Sequence, residues 1–175
     1  MNPTPGIDTP RLHLRPWTFD DLEAFHGIWG DPQVIFWAKR WDRDESRAVL
    51  EKVFARCAGR PFPMAWLGAF SRATGVAVGN FMLQPAPWDA SEIEVGWHLR
   101  RDSWGQGYAT EGAAALLRAG FDLLRPARIV CSILPANTRS QQLASRLGFT
   151  RYAENVLRAD LPHDLLELRA PPAAP

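Results

Sequence analysis

The chain predicts an α+β fold, with about seven strands in a twisted, mixed and mostly antiparallel sheet and about four helices packed on it. Three observations carry this. Three strand-like runs follow one another between Met64 and Arg100 with no helix between them, so the sheet cannot be all parallel. Helix-period stripes precede and follow that block. The 175 residues, 46% hydrophobic and 22% charged, match one soluble domain able to bury a core of its own. The proline-rich ends, residues 1–9 and 171–175, are expected to be flexible tails around a single domain at 10–170.

Each element has its own reason. Arg11–Arg15 alternates polar and apolar through Leu12 and Leu14 and reads as a strand. Thr18 suits the N-cap of the helix that follows, whose first turn holds Asp20, Asp21 and Glu23 where the dipole favours negative charge. Leu22, Phe25, Ile28 and Trp29 share one face of it, and Asp31-Pro32 ends it. After an aromatic connection over Val34–Trp41, a second helix spans about Glu45–Cys57, burying Val49, Leu50, Val53, Phe54 and Cys57 before Gly59 stops it. Met64–Phe70 and Val76–Leu83 form a hairpin turning at Gly75, and Pro85–Asp89 is a loop.

Glu92–Arg100 alternates most cleanly: Ile93, Val95, Trp97 and Leu99 point one way, Glu92, Glu94, Gly96 and His98 the other. A loop over Arg101–Gly107 opens a helix spanning about Tyr108–Leu124, with Ala113, Leu116, Leu117, Phe121 and Leu124 as its inner stripe. A strand at Arg128–Leu134, an Asn137-capped helix ending at Leu147-Gly148, and closing strands at Phe149–Val156 and Asp164–Arg169 complete the order.

Several function classes are disfavoured. The longest apolar run inside a predicted element, Ala113–Leu117, closes at Arg118, far short of the ~20 residues a membrane span needs. Met1–Gly6 has neither the basic stretch nor the apolar core of a secretory signal. A net charge of +1 gives no reason to expect nucleic acid or an anionic membrane as partner. Cys57 and Cys131 fit no metal or redox spacing and read as reduced thiols of a cytoplasmic protein, with no metal expected.

The chemistry concentrates between Glu94 and Glu111. A strand feeds a glycine loop that opens a helix, and the first amides of that helix lack intrahelical partners at the positive end of its dipole. Gly105 and Gly107 clear side chains from the backbone, so the segment suits a phosphate or pyrophosphate. It is not a dinucleotide fingerprint, because Thr110 stands where the third glycine belongs, and there is no Walker-type lysine motif. Taken alone, the same loop also suits a helix that merely begins with a glycine turn.

A second segment, Leu134-Pro-Ala-Asn137-Thr-Arg-Ser140 through Leu147-Gly148-Phe149, follows the next strand. With Thr9-Pro-Arg-Leu-His-Leu-Arg15, Asp31-Pro32, Gly79, Glu94-Val-Gly96 and Trp104-Gly-Gln-Gly-Tyr-Ala-Thr-Glu111, the chain resembles the GNAT family of acyl-CoA-dependent N-acetyltransferases over nearly its whole length. The details are similar to its RimJ/RimL-like branch of ribosomal-protein N-terminal acetyltransferases. The resemblance implies the GNAT fold, acetyl-CoA as co-substrate and an amine acceptor, either a protein N-terminus or a small molecule. Homodimers are common in that branch. Two departures stand out. Trp104 replaces the Gln or Arg of the wider family's loop, and Ala144 stands where many members place an acid tyrosine, leaving Ser140 one turn earlier as the substitute.

The resemblance also implies the roles. Trp97, Leu99, Arg101, Trp104, Gly105, Gln106, Gly107, Tyr108, Ala109, Thr110 and Asn137 hold the coenzyme, with Arg100 and Arg101 able to steer its phosphates. The strand containing Glu94 should diverge from the one starting at Arg128, freeing the Leu99 amide or a neighbour for the oxyanion. Glu94 is the candidate base, Glu92 its understudy and His98 a weaker option. Of eight tryptophans, Trp17, Trp29, Trp66 and Trp97 fit core positions. Phe36, Trp37, Trp41 and Trp88 fall in connections and are candidates to line an acceptor pocket, with Asp42, Asp44 or Asp89 available to a cation. The alternatives are loop aromatics folded onto the core, a non-catalytic acyl-CoA sensor and, least favoured, a nucleotide-binding domain.

Overall fold

A computed structural model describes residues 6–36, 38–57, 62 and 64–170. Among them one sheet has eight strands: β1 (Ile7–Asp8), β2 (Leu12–Pro16), β3 (Trp66–Ser71), β4 (Ala77–Ala86), β5 (Asp89–Leu99), β6 (Arg128–Ile133), β7 (Thr150–Arg158) and β8 (Leu161–Arg169). They lie in the order β1-β2-β3-β4-β5-β6-β8-β7. Every pair is antiparallel except β5 with β6. Four α-helices accompany it: α1 (Leu22–Trp29), α2 (Arg43–Cys57), α3 (Tyr108–Leu124) and α4 (Thr138–Arg146). No helix is long and apolar enough to cross a membrane among the described residues.

The mixed sheet and the helices fall where periodicity predicts them, with three differences. Ile7–Asp8 pairs with His13 and Leu14, so the expected loose tail at residues 1–9 already contains sheet at its end; a two-residue strand has no alternation to read. Pro85–Asp89 is not a loop: β4 and β5 run on to Ala86 and Asp89 and turn through Pro87 and Trp88. The α1 helix is preceded by a single 3-10 turn at Phe19–Asp21, and Asp21 reaches back to the Thr18 backbone and hydroxyl.

Two cores sandwich the sheet. Odd-numbered residues of β5, including Val95 and Leu99, pack with Phe81, Ala113, Leu116, Ile129 and Cys131 beneath α3 and α4. On the opposite face Trp17, Phe25, Ile28, Trp29 and Leu50 join α1 and α2 to Phe70 and Ala77. Helix α3 lies close to the sheet because a Cβ at Gly112 would sit 2.5 Å from the Phe81 ring. From Glu94 to Leu99 neither face of β5 is exposed, although its alternation reads as a half-exposed strand. Of its even-numbered polar side chains, His98 packs against Trp29 of α1 and Glu94 is buried.

Candidate active site

Strands β5 and β6 pair over two residues, midway along β5 and near the start of β6. Ile93 pairs with Ile129 and Glu94 with Val130, and beyond that the two strands part. On its other edge β5 stays paired with β4 through Leu99, and the Arg100 amide donates to the Val78 carbonyl (3.0 Å). Bonding direction alternates along an antiparallel pair. Even-numbered residues therefore serve β4, and the amides of Trp97 and Leu99 face the gap. Trp104 Nε1 donates to the Leu99 carbonyl at 3.0 Å, which satisfies the oxygen and leaves the Leu99 N–H directed into the opening. The expected divergence is present.

At one mouth of the gap stands the glycine loop. Gly105 (φ +75°) and Gly107 (φ +80°) are left-handed, and Gly107 opens α3 with no side chain capping it. The amides of Tyr108, Ala109 and Thr110 belong to the first helical turn, where no intrahelical acceptor exists. Gln106 Nε2 is tied to the Asp102 carbonyl (2.9 Å), and the Arg139 guanidinium lies 4.4 Å over the Trp104 ring. Trp104 thus carries a cation from α4 at the position where the wider family has a polar side chain. Arg101 is exposed, and Arg100 pairs with Asp102 at 2.8 Å. Across the gap Asn137 accepts the Ser140 amide (3.2 Å) and so caps α4. Ser140 Oγ accepts the Trp97 indole N–H at 3.3 Å. Ala144 is fully buried and offers no hydroxyl.

Glu94 lies on the opposite face, at the last paired residue before the strands part. It is 7% exposed. Gln84 Nε2 donates to Oε2 at 3.1 Å, and Arg158 Nη1 lies 3.5 Å from Oε1. Gln84 is in turn held by Trp66 Nε1 (3.0 Å), and Arg158 sits 3.8 Å under the Trp88 ring. Burial pushes the Glu94 carboxyl above its ordinary value, against the opposing pull of Gln84 and Arg158. A carboxylate so placed is a stronger proton acceptor than a free one, which suits the role of base.

The other base candidates are differently employed. Glu92 is engaged by Arg128, which also holds Glu167 at 2.6 Å, so it belongs to an ion-pair network. His98 packs 4.5 Å from Trp29, and burial lowers its pKa to about 4. It is neutral at physiological pH and a weak base. Because the folded value lies below the unfolded 6.5, the neutral ring stabilises the fold fully above that pH. The contribution, up to about 3 kcal/mol, is lost as pH falls towards 4. In His98→Gln the thermal midpoint should fall less on acidification than in the wild type. Equal falls would place the acid sensitivity elsewhere.

The candidate pocket aromatics that the structure describes lie in different surroundings. Trp41 is stacked on Trp29 at 4.5 Å and belongs to the α1–α2 core. One face of Trp88 already carries Arg158. Trp37 lies outside the described residues. Phe36 is exposed and lines a depression with Pro32, Ile35, Ala38, Lys39 and Arg40. The candidate acids have local work. Asp42 and Glu45 cap the start of α2 reciprocally (2.8 and 3.0 Å), Asp89 accepts the Ser91 amide (2.9 Å) and hydroxyl (2.6 Å), and Asp44 is exposed in the first turn of α2. Gln84, Trp66 and Arg158, which frame Glu94, carry no local signal in the sequence. Only strand register and the return of β7 bring them there.

Known proteins resemble the chain in sequence and in fold. The family model described as an acetyltransferase (GNAT) domain matches residues 11–150. The uncharacterized N-acetyltransferase p20 of Bacillus licheniformis is 27% identical over 157 residues, covering 86% of this chain and 84% of its own length. An acetyltransferase from Agrobacterium tumefaciens superimposes with a TM-score of 0.80 at 26% identity, over 95% of each chain. Mycobacterium smegmatis RimJ, solved with CoA-disulfide, shares the fold at a TM-score of 0.74 and 20% identity, covering 95% of this chain and 87% of its own.

Proposed function

Because the chain belongs to the acetyltransferase (GNAT) family, we propose that it transfers an acetyl group from acetyl-CoA to a primary amine, on a protein N-terminus or a small molecule, by direct attack. The single observation that carries this reading is the opening of the sheet beyond Glu94 and Val130, with a glycine loop at one side and Glu94 at its apex. The gap suits a slim chain laid as a pseudo-strand against the unpaired edge of β5. The loop amides then receive its pyrophosphate.

The steps follow from the groups around the gap. The acceptor arrives as a neutral amine, since an ammonium has no lone pair. Its nitrogen attacks the thioester carbonyl, and the resulting oxyanion is stabilised by the Leu99 or Trp97 amide. Glu94 takes the amine proton, directly or through water. The C–S bond then breaks. Trp97 donates to Ser140 Oγ, which leaves the serine O–H free to donate a hydrogen bond to the departing thiolate, while the amine proton stays on Glu94 until solvent takes it. Ser140→Ala should lower kcat by about ten- to a hundredfold while KM for acetyl-CoA changes little. An unchanged kcat would remove Ser140 from the chemistry.

The function is tested by thiol release from acetyl-CoA with N-terminal peptides, amino acids, polyamines and aminoglycosides. Release with one class, lost in Glu94→Gln, supports the transferase and identifies its acceptor. Coenzyme A binding with no release from any acceptor would favour a different acyl donor, an acceptor outside the panel or the acyl-CoA-binding sensor.

A further inference from the structure

We propose that Arg11, on the turn entering β2, is a positioning residue of the donor loop: its guanidinium holds the Gln106 carbonyl and so aims the Gly107 amide at the donor pyrophosphate. This rests on the acetyl-CoA reading above.

The geometry is specific. Arg11 Nη1 donates to the Gln106 carbonyl at 2.9 Å, while Arg11 Nε donates to Glu111 at 2.6 Å. Glu111 lies in the first turn of α3 and also accepts the Thr9 hydroxyl (2.6 Å) and the Arg11 amide (2.8 Å). The guanidinium lies 4.7 Å over the Tyr108 ring. Its base is equally fixed. The Leu12 amide donates to Thr9 Oγ1 (2.8 Å), the Arg72 amide to the Arg11 carbonyl (2.9 Å) and Arg72 Nη1 to the Thr9 carbonyl (2.8 Å). A planar fork held this firmly at one prong cannot swing away from the loop.

The consequence follows from peptide geometry. In a trans peptide the carbonyl and the next N–H point in opposite directions. Holding the Gln106 oxygen towards Arg11 turns the Gly107 N–H the other way, out of the loop. Glycines at 105 and 107 give this segment the freedom to rotate that peptide. Rotated, it would present an oxygen to the phosphates and repel them. Arg11 therefore selects the loop state that binds an anion.

The test is a titration of coenzyme A and of pantetheine, which lacks the pyrophosphate, into wild type, Arg11→Met and Arg11→Lys. Arg11→Met should bind coenzyme A about tenfold more weakly with pantetheine binding unchanged. Arg11→Lys keeps the charge but cannot serve both acceptors, and should recover only part of the loss. The proposal is overturned if Arg11→Met loses both ligands alike, if it loses neither, or if Arg11→Lys binds as wild type, which would make charge alone sufficient. Wild type binding coenzyme A no tighter than pantetheine would instead overturn the donor-loop reading itself.

Discussion

Glu94→Gln should lower kcat by about 10²–10⁴-fold while coenzyme A binds as in the wild type. The substitution keeps the shape of the side chain and removes its capacity to accept a proton. Gln84 and Arg158 are left around a neutral amide. Stability should move the other way. A carboxyl whose folded-state value is raised stabilises the fold fully only below its unfolded value and loses that contribution as pH rises through the folded one. Ionised Glu94 is therefore a cost to the fold, and at the alkaline end of the range the Gln variant should melt no lower than wild type. A variant that loses activity and melts much lower would show Glu94 to be structural. One that keeps its activity would pass the role of base to another group.

Arg158→Met should change the pH dependence rather than uniformly lower the rate. Arg158 is one of the two groups pulling the Glu94 value down against burial. Without it the carboxyl holds its proton to higher pH, so the acid limb of kcat/KM moves upward. Activity at pH 6 should fall by roughly an order of magnitude, and at pH 9 it should approach that of wild type. Arg158→Lys, which keeps a cation near Oε1, should lie between them. An equal loss at all pH values would argue that Arg158 acts through Trp88 and the hairpin turn alone. The effect is distinguishable from that of Glu94→Gln, which no alkaline pH rescues.

Both experiments separate two kinds of information. Local chemistry was legible along the chain. The strand over Glu92–Leu99, the glycine loop before α3, the Asn137 cap and the glycine stop at 148 each follow from interactions within a few residues, and the structure contains them all. The pattern of elements also implied a sheet that could not be all parallel. The glycine loop and the segment from Leu134 to Phe149 carried the resemblance from which a donor cleft is proposed.

The state of those residues was decided only when the sheet formed. Register sets Gln84 opposite Glu94, and the return of β7 sets Arg158 beside it. Burial then makes a carboxylate from an alternating strand a candidate base, while its neighbour two residues earlier becomes half of an ion pair with Arg128. The same contacts stack Trp41 into the core and give one face of Trp88 a cation from within the chain. Arg11 lies ninety-five residues from the carbonyl it holds. Desolvation and long-range pairing are properties of the packed layers, and no window of the sequence contains both partners. Periodicity and turn chemistry therefore determined which elements form; tertiary burial determined which side chains they leave able to react.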